Sequence, residues 1–195
     1  MTSLPAPDAY LDHTITGADF TQQRPFETEV YGCTFVDCEF LGADLRNVAL
    51  IDTTFRGCNL AMVKLRGTRL QGVRFIDCKL MGVSFHELSD FGLSLSFEGC
   101  NLNYASLRSL NLRNTRFERC TLQESDLYEA DLRKAVFDQC DVTGATWDRA
   151  NLEGADLCLA HNLAFDPVKC RTRGAKLRLE QLPGLLSRFG FKIEG

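Results

Sequence analysis

Nine cysteines, three histidines and twenty-six carboxylates are the side chains of this chain that could carry chemistry. Cysteine and histidine hold zinc or act as nucleophiles only where they converge, so their spacing decides the matter. No C-x-x-C pair or Cys/His cluster is present, and His13, His86 and His161 stand apart with no evident nucleophile or carboxylate partner. The Walker loop, G-x-S-x-G and G-x-G-x-x-G are missing as well. Six cysteines instead close a Phe-x-x-Cys motif: Phe35/Cys38, Phe55/Cys58, Phe75/Cys78, Phe97/Cys100, Phe117/Cys120 and Phe137/Cys140. Their steps are 20, 20, 22, 20 and 20 residues, the mark of stacked structural units that bury apolar residues against one another. The expectation is a protein that is not an enzyme and carries neither metal nor cofactor.

Such units need elements shorter than a usual helix or strand, and the finer period says which. From Val30 to Phe85, and again from Phe97 to Leu157, every fifth residue is apolar, and the residue two places earlier is nearly always small. Five fits neither 3.6 nor 2. It fits a chain that turns a corner every five residues, with one large and one small side chain inward per side and four sides per 20-residue coil. Coils stacked by backbone hydrogen bonds rise by about 4.8 Å. Seven of the cysteines (Cys33, Cys38, Cys58, Cys78, Cys100, Cys120 and Cys140) fall on the small inward position, where a thiol packs as a small hydrophobe. Parallel side chains from stacked coils meet at a poor torsion for a disulfide, so packing is the expected role.

The organisation reads as an N-terminal cap or tail over 1–14, a repeat region over 15–177, and a C-terminal cap and dimerisation segment over 178–195. The 12 residues from Phe85 to Phe97 are two more than two repeats, so 86–96 must bulge or loop; the segment serves register or contact. Near the end, Leu182, Leu185, Leu186 and Phe189 fall at helical spacing, predicting a short helix from Leu182 or Pro183 with Gly190 at its C′ position. That helix covers the open end of the stack. The same segment could also pair with its copy through Leu185, Leu186, Phe189, Phe191 and Ile193, giving a homodimer.

A formal net charge of −4 gives no general basic surface, so direct nucleic-acid binding is not expected. No apolar run reaches the length of a membrane span, and Met1 to Tyr10 lacks the features of a secretory signal, which points to the cytoplasm. Outward positions then matter most. Asp37, Asp77, Glu98, Glu118, Asp138 and Asp156 fall on or beside the Phe side, close to one acid per coil, and would offer carboxylates to a basic groove. Arg56, Arg74, Arg116 and Arg119 share that side, so an ordinary mixed-charge surface is the competing reading. Arg46, Arg66 and Arg108 form a partly basic column elsewhere, and Leu41, Met62, Met81 and Tyr104 mark an apolar strip on the Cys side, either a partner contact or ordinary surface.

The triplets Ala43-Asp44-Leu45, Ala130-Asp131-Leu132, Ala150-Asn151-Leu152 and Ala155-Asp156-Leu157 match the pattern A(D/N)Lxx, and the chain resembles the pentapeptide-repeat proteins over 15 to 177. The resemblance implies an all-β fold, a right-handed quadrilateral β-solenoid with a short C-terminal capping helix. The tail NLAFDPVKCRTRGAKLRLEQLPGLLSRFGFKIEG and the run SFEGCNLNYASL resemble the albicidin-resistance subgroup, whose wider relatives are topoisomerase-protecting quinolone-resistance proteins. That likeness implies a rod-shaped dimer acting on DNA gyrase, protecting it from poisons or competing with DNA as a duplex mimic. Unlike the plasmid quinolone-resistance proteins, this chain lacks two long projecting loops, so only a role for the rod surface is implied. The alternative is a structural or adaptor solenoid for an unrelated protein.

Overall fold

In the computed structural model, which describes residues 10–186, 189 and 190, the chain winds as a parallel β-solenoid. Each side of a coil is short because the backbone enters the left-handed region two residues after nearly every central apolar residue, as at Asn47 (φ 60°), Gly57 (φ 64°) and Tyr104 (φ 60°). At many corners this closes a four-residue turn of the type that requires positive φ at its third residue: the Val48 N–H donates to the Leu45 carbonyl at 3.3 Å across Arg46 and Asn47.

Among the described residues the Phe side forms a seven-stranded sheet. Its members are β1 (Thr14–Thr16), β3 (Thr34–Val36), β5 (Thr54–Arg56), β7 (Val73–Ile76), β8 (Leu95–Glu98), β9 (Arg116–Glu118) and β10 (Val136–Asp138), paired in that order. The side that precedes it carries β2 (Glu29–Tyr31), β4 (Ala49–Ile51) and β6 (Arg69–Gln71). The remaining two sides are joined by single bridges, such as Glu39 to Asn59 to Lys79 and Asp44 to Lys64. All pairing is parallel and in register by coil, with Phe35 opposite Phe55 and Phe97 opposite Phe117.

The inside is one continuous apolar column. Phe35, Phe55, Phe75, Phe97, Phe117 and Phe137 stack with ring centroids 4.7 to 5.4 Å apart and planes within 14° of parallel, the coil rise expressed in aromatic rings. The six Phe-x-x-Cys thiols form a second column beside it, and all six are buried. Their Sγ–H groups donate to the carbonyl two residues back: Cys78 to Ile76 at 3.3 Å and Cys120 to Glu118 at 3.3 Å. The thiols are free, and those of Cys38, Cys100 and Cys140 are pushed up by the neighbouring sulfur of the column and then by burial, which keeps them protonated.

The interruption is absorbed outside the ladder. Val73 to Ile76 pairs with Leu95 to Glu98 without a slip, so the two extra residues are expelled into a loop that follows one 3₁₀ turn at Phe85–Glu87. Phe91 stands at its tip, 71% exposed, with the Arg69 guanidinium 5.8 Å from its ring centre.

At the C-terminal end a 3₁₀ turn, Leu179–Gln181, leads into α1 (Leu182–Leu186). The Gln181 side-chain amide donates to the Leu157 and Ala160 carbonyls, each at 2.7 Å, adding to the bond that the Leu157 carbonyl already accepts from the Ala160 N–H and tying the cap to the end of the stack. Leu185 is buried against that coil, and Gly184 lies so close to the Leu163 carbonyl that no side chain fits between them. The helix begins where the leucine spacing places it, and Gly190 is left-handed at φ 71°.

Candidate functional site: the outward faces of the rod

The corner residues set the first pattern. On the two edges of the Phe side, aspartate and glycine alternate from coil to coil: Asp12, Gly32, Asp52, Gly72 along one edge and Gly17, Asp37, Gly57, Asp77, Gly99 along the other. All are left-handed, a conformation Asp and Gly tolerate better than most residues. Each aspartate leans over the glycine of the next coil, and a Cβ added to Gly32, Gly57, Gly72 or Gly99 would meet a carboxylate oxygen closer than 3.0 Å. A side chain at the next corner would have to displace the carboxylate, and glycine leaves it in place.

The consequence is a zigzag. Asp12, Asp37, Asp52 and Asp77 fall on alternate edges in successive coils, so two rows of carboxylates border the N-terminal half of the Phe side, with about 9.6 Å between neighbours in a row. All four are exposed and form no ion pair among the described residues. Asp19, Glu27, Glu29 and Glu39 add exposed carboxylates to the same end of the rod, likewise without an ion pair among the described residues.

The six acids read from the sequence as one face occupy three settings. Asp37 and Asp77 belong to this corner zigzag. Glu98, Glu118 and Asp138 are opposite one another in β8, β9 and β10 and form a true column. Arginines clamp it: Arg116 donates to Glu118 at 3.0 Å and to Asp138 at 2.8 Å, and Arg119 reaches Glu98 at 2.6 Å and also Glu118. The hydrogen bond from Arg116, followed by those of Arg119, holds the Glu118 carboxyl below its usual range. Asp156 lies in a neighbouring column opposite Val136 and Lys176, and pairs with the Lys176 ammonium at 3.4 Å.

The Cys side divides along its length. Its N-terminal half exposes Leu41 (40%), Met62 (63%), Met81 (44%) and Tyr104 (63%). Its C-terminal half is a polar ladder. Gln123 and Asn162 donate to the Asp141 carboxylate at 2.6 and 2.9 Å, with the Thr143 hydroxyl at 2.6 Å. Burial opposes ionisation of Asp141, but these donors outweigh it and hold the carboxyl below its usual range.

The partly basic column runs along the side that follows. Arg46 is bound to Asp44 through two nitrogens, and that bond holds the Asp44 carboxyl down to about 2. Arg108 and Arg149 flank the Tyr128 ring at 4.8 and 5.6 Å. His13, His86 and His161 are all exposed, and no group of acidic, histidine and cysteine side chains among the described residues could hold a metal ion.

Of the five residues named for pairing with a second copy, Leu185 is inside its own chain's core and Leu186 is half-buried. Phe189 is 48% exposed, and Phe191 and Ile193 lie outside the described residues. The aspartate–glycine alternation is legible in the sequence, as Asp followed by Gly 20 residues on, or 22 across the interruption, but only a known corner geometry gives that pair meaning.

No curated protein sequence matches the chain. Among solved structures, a trypsin-treated variant of QnrB1, a plasmid-mediated fluoroquinolone resistance protein, is 24% identical; the match covers 94% of this chain and 96% of that one, with a TM-score of 0.48. HetL, a pentapeptide-repeat protein involved in heterocyst differentiation regulation from the cyanobacterium Nostoc sp. strain PCC 7120, is 20% identical over 85% of this chain and 83% of its own, with a TM-score of 0.47. A pentapeptide-repeat protein from the thylakoid lumen of Arabidopsis thaliana is 18% identical over 92% and 78%, with a TM-score of 0.21. Likenesses at these levels carry no functional argument. The model of the pentapeptide repeat region, however, matches residues 28–91 and 93–162, well over half of the chain, and with the four-sided coil in view the protein belongs to the pentapeptide-repeat family.

Proposed function

We propose that the rod binds DNA gyrase, or a related type II topoisomerase, in place of duplex DNA, and so shields the enzyme from poisons such as albicidin or quinolones. The observation that carries this reading is the double row of exposed aspartates, Asp12, Asp37, Asp52 and Asp77, along the two edges of one face. Two lines of negative charge border a strip of Thr14, Thr34 and Thr54 that also carries Arg56 and Arg74, and the rows resemble, in charge layout, the two phosphate lines of a duplex. A protein groove built for phosphates attracts such a surface by the same electrostatics. The arginine-clamped acids, Glu98, Glu118 and Asp138, contribute less, because their charge is largely answered within the chain.

Gyrase supercoiling with and without a poison tests the reading. Added rod should inhibit supercoiling or rescue it from albicidin or a quinolone at micromolar levels, and the effect should weaken as ionic strength rises. Replacing Asp12, Asp37, Asp52 and Asp77 by asparagine keeps the left-handed corners and removes four charges. That variant should stay folded and lose most of the effect, whereas neutralising Glu98 and Glu118 should cost less. If the wild-type rod neither inhibits nor rescues, the adaptor reading, a solenoid that binds an unrelated protein, takes its place.

A further inference from the structure

The last coil before the cap carries a charge pattern found nowhere else in the chain. Residues 169–178, KCRTRGAKLR, hold five cations and no acid, whereas residues 12–52 hold eight carboxylates and two arginines. The net charge of −4 is therefore an average over a rod with an acidic start and a basic end. The expectation that nucleic acid is not bound rests on that average and does not hold for each end separately.

Coil stacking gathers part of this charge on the side that precedes the Phe side. Asn111, Asp131, Asn151 and Arg171 form one outward column there. Arg113, Arg133, Glu153 and Arg173 form the other, since the Asn114, Lys134 and Gly154 N–H groups donate to the Arg133, Glu153 and Arg173 carbonyls. Asp131 is bound by Arg133 through two nitrogens, and Glu153 has an arginine in the coil before it and another in the coil after. Arg171 and Arg173 are exposed and form no ion pair among the described residues. They stand two residues apart on one flat side, about 6.6 Å along the chain. Beside them runs an open groove of about 680 Å³ with Arg133, Arg149, Lys169 and Arg171 in its wall. The two acids of that wall, Glu129 and Asp131, are each bonded by an arginine, Arg149 and Arg133.

We propose that this end of the rod binds the phosphate backbone of a nucleic-acid duplex, without reading its sequence. Guanidinium groups free of acidic partners and fixed on a rigid side suit phosphate oxygens. Between Asn111 and Arg173 no aromatic ring is exposed, and Tyr128 lies half-buried between Arg108 and Arg149, so a single strand finds no stacking platform there. Asp77, the last of the aspartate rows, lies about five coils away, roughly 24 Å along the rod. That is more than twice the screening length of about 10 Å at about 0.1 M salt, so the acidic end repels a duplex held at the basic end only weakly. The contact needs no topoisomerase and stands apart from the reading of the aspartate rows.

Fluorescence anisotropy of a short labelled DNA duplex, with the full chain and no enzyme, tests it. Binding should be micromolar at about 50 mM salt and weaken roughly 10- to 150-fold at about 200 mM, the range for two to four phosphate contacts. Arg171→Gln combined with Arg173→Gln should lower affinity at least about tenfold and flatten the salt slope by about two. The thermal midpoint should stay unchanged, because neither side chain has an ion-pair partner to lose. Lys64→Gln combined with Arg66→Gln removes the same charge from the side that follows the Cys side and should leave affinity within about twofold of wild type. No binding at about 50 mM salt would overturn the proposal. So would wild-type affinity in the Arg171 and Arg173 double variant, equal losses in the two double variants, or tighter binding of the single strand than of the duplex.

Discussion

Replacing Gly184 by alanine tests how the rod is closed. In the interior of an exposed helix, Gly to Ala stabilises by about 1 kcal/mol, because alanine loses less backbone freedom on folding. Here the new Cβ would lie closer than 3.0 Å to the Leu163 carbonyl oxygen, which belongs to the backbone of the last coil and cannot rotate away as a side chain could. The helix must lift. Lifting it exposes Leu185, whose burial is worth roughly 1.5 to 3 kcal/mol, and breaks the two Gln181 hydrogen bonds, worth about 0.5 to 1.5 kcal/mol each. After the helical gain is subtracted, the cap should be weaker by about 1.5 to 5 kcal/mol. The effect is local, so hydrogen exchange is the assay: amides of the last coil, such as Ala160, should exchange between about tenfold and a few thousand-fold faster, while those of the Phe55 and Phe75 strands keep their protection. Gly190→Ala, whose new Cβ meets nothing within 4 Å but which takes on a left-handed φ of 71°, separates contact from backbone strain and should change these rates less than Gly184→Ala does. Unchanged or slower exchange at Ala160 in Gly184→Ala would refute the seating of the cap.

Other perturbations address the interior and its charges. Phe117→Ala should cost about 3 to 5 kcal/mol in urea unfolding, because Phe97 and Phe137 above and below are held by their own strands and cannot close the gap. Cys120→Ala should be mild and Cys120→Phe as harmful as Phe117→Ala; nine thiols should react with a disulfide reagent after denaturation, and fewer than nine would contradict the free column. The hydrogen bond from Arg46, against the opposing effect of burial and with the charges of Arg46 and Arg24 beside it, lowers the Asp44 carboxyl to about 2, below its value in an unfolded chain. A lowered folded value means this contribution to stability is complete above about pH 4 and is lost as pH falls towards 2, a slope that Asp44→Asn should flatten in acid titrations of stability.

Periodicity made the fold readable and left the surface less so. The five-residue rhythm names nearly every buried residue from Val30 to Leu157, because the interior is one repeated contact and any slip would leave a large side chain outside. The end was partly legible: leucine spacing locates the helix, but not that Leu185 turns into its own core, since an apolar stripe says nothing about what covers it. The outward acids were harder. Counting positions from the centres groups Glu98, Glu118 and Asp138 correctly, yet the clamping by Arg116 and Arg119 depends on side chains that cross between coils. Asp12 and Asp52 escape such a count, since their corner precedes the Phe side and falls two places after the centres of the side before it, Tyr10 and Leu50, whereas the corner of Asp37 and Asp77 follows the Phe centres.

The loop that expels two residues while Val73 to Ile76 stays matched to Leu95 to Glu98 also fixes how this molecule can change length. Position along the rod is metered by residue count, with one rise of about 4.8 Å for each 20 residues. Inserting a whole coil lengthens the rod and leaves every side in line; inserting a single five-residue unit satisfies the interior equally well but turns everything downstream through a quarter circle. A partner that spans the insertion loses its footprint while the protein remains folded. Foldability and recognition are thus counted in different units, five residues for one and twenty for the other.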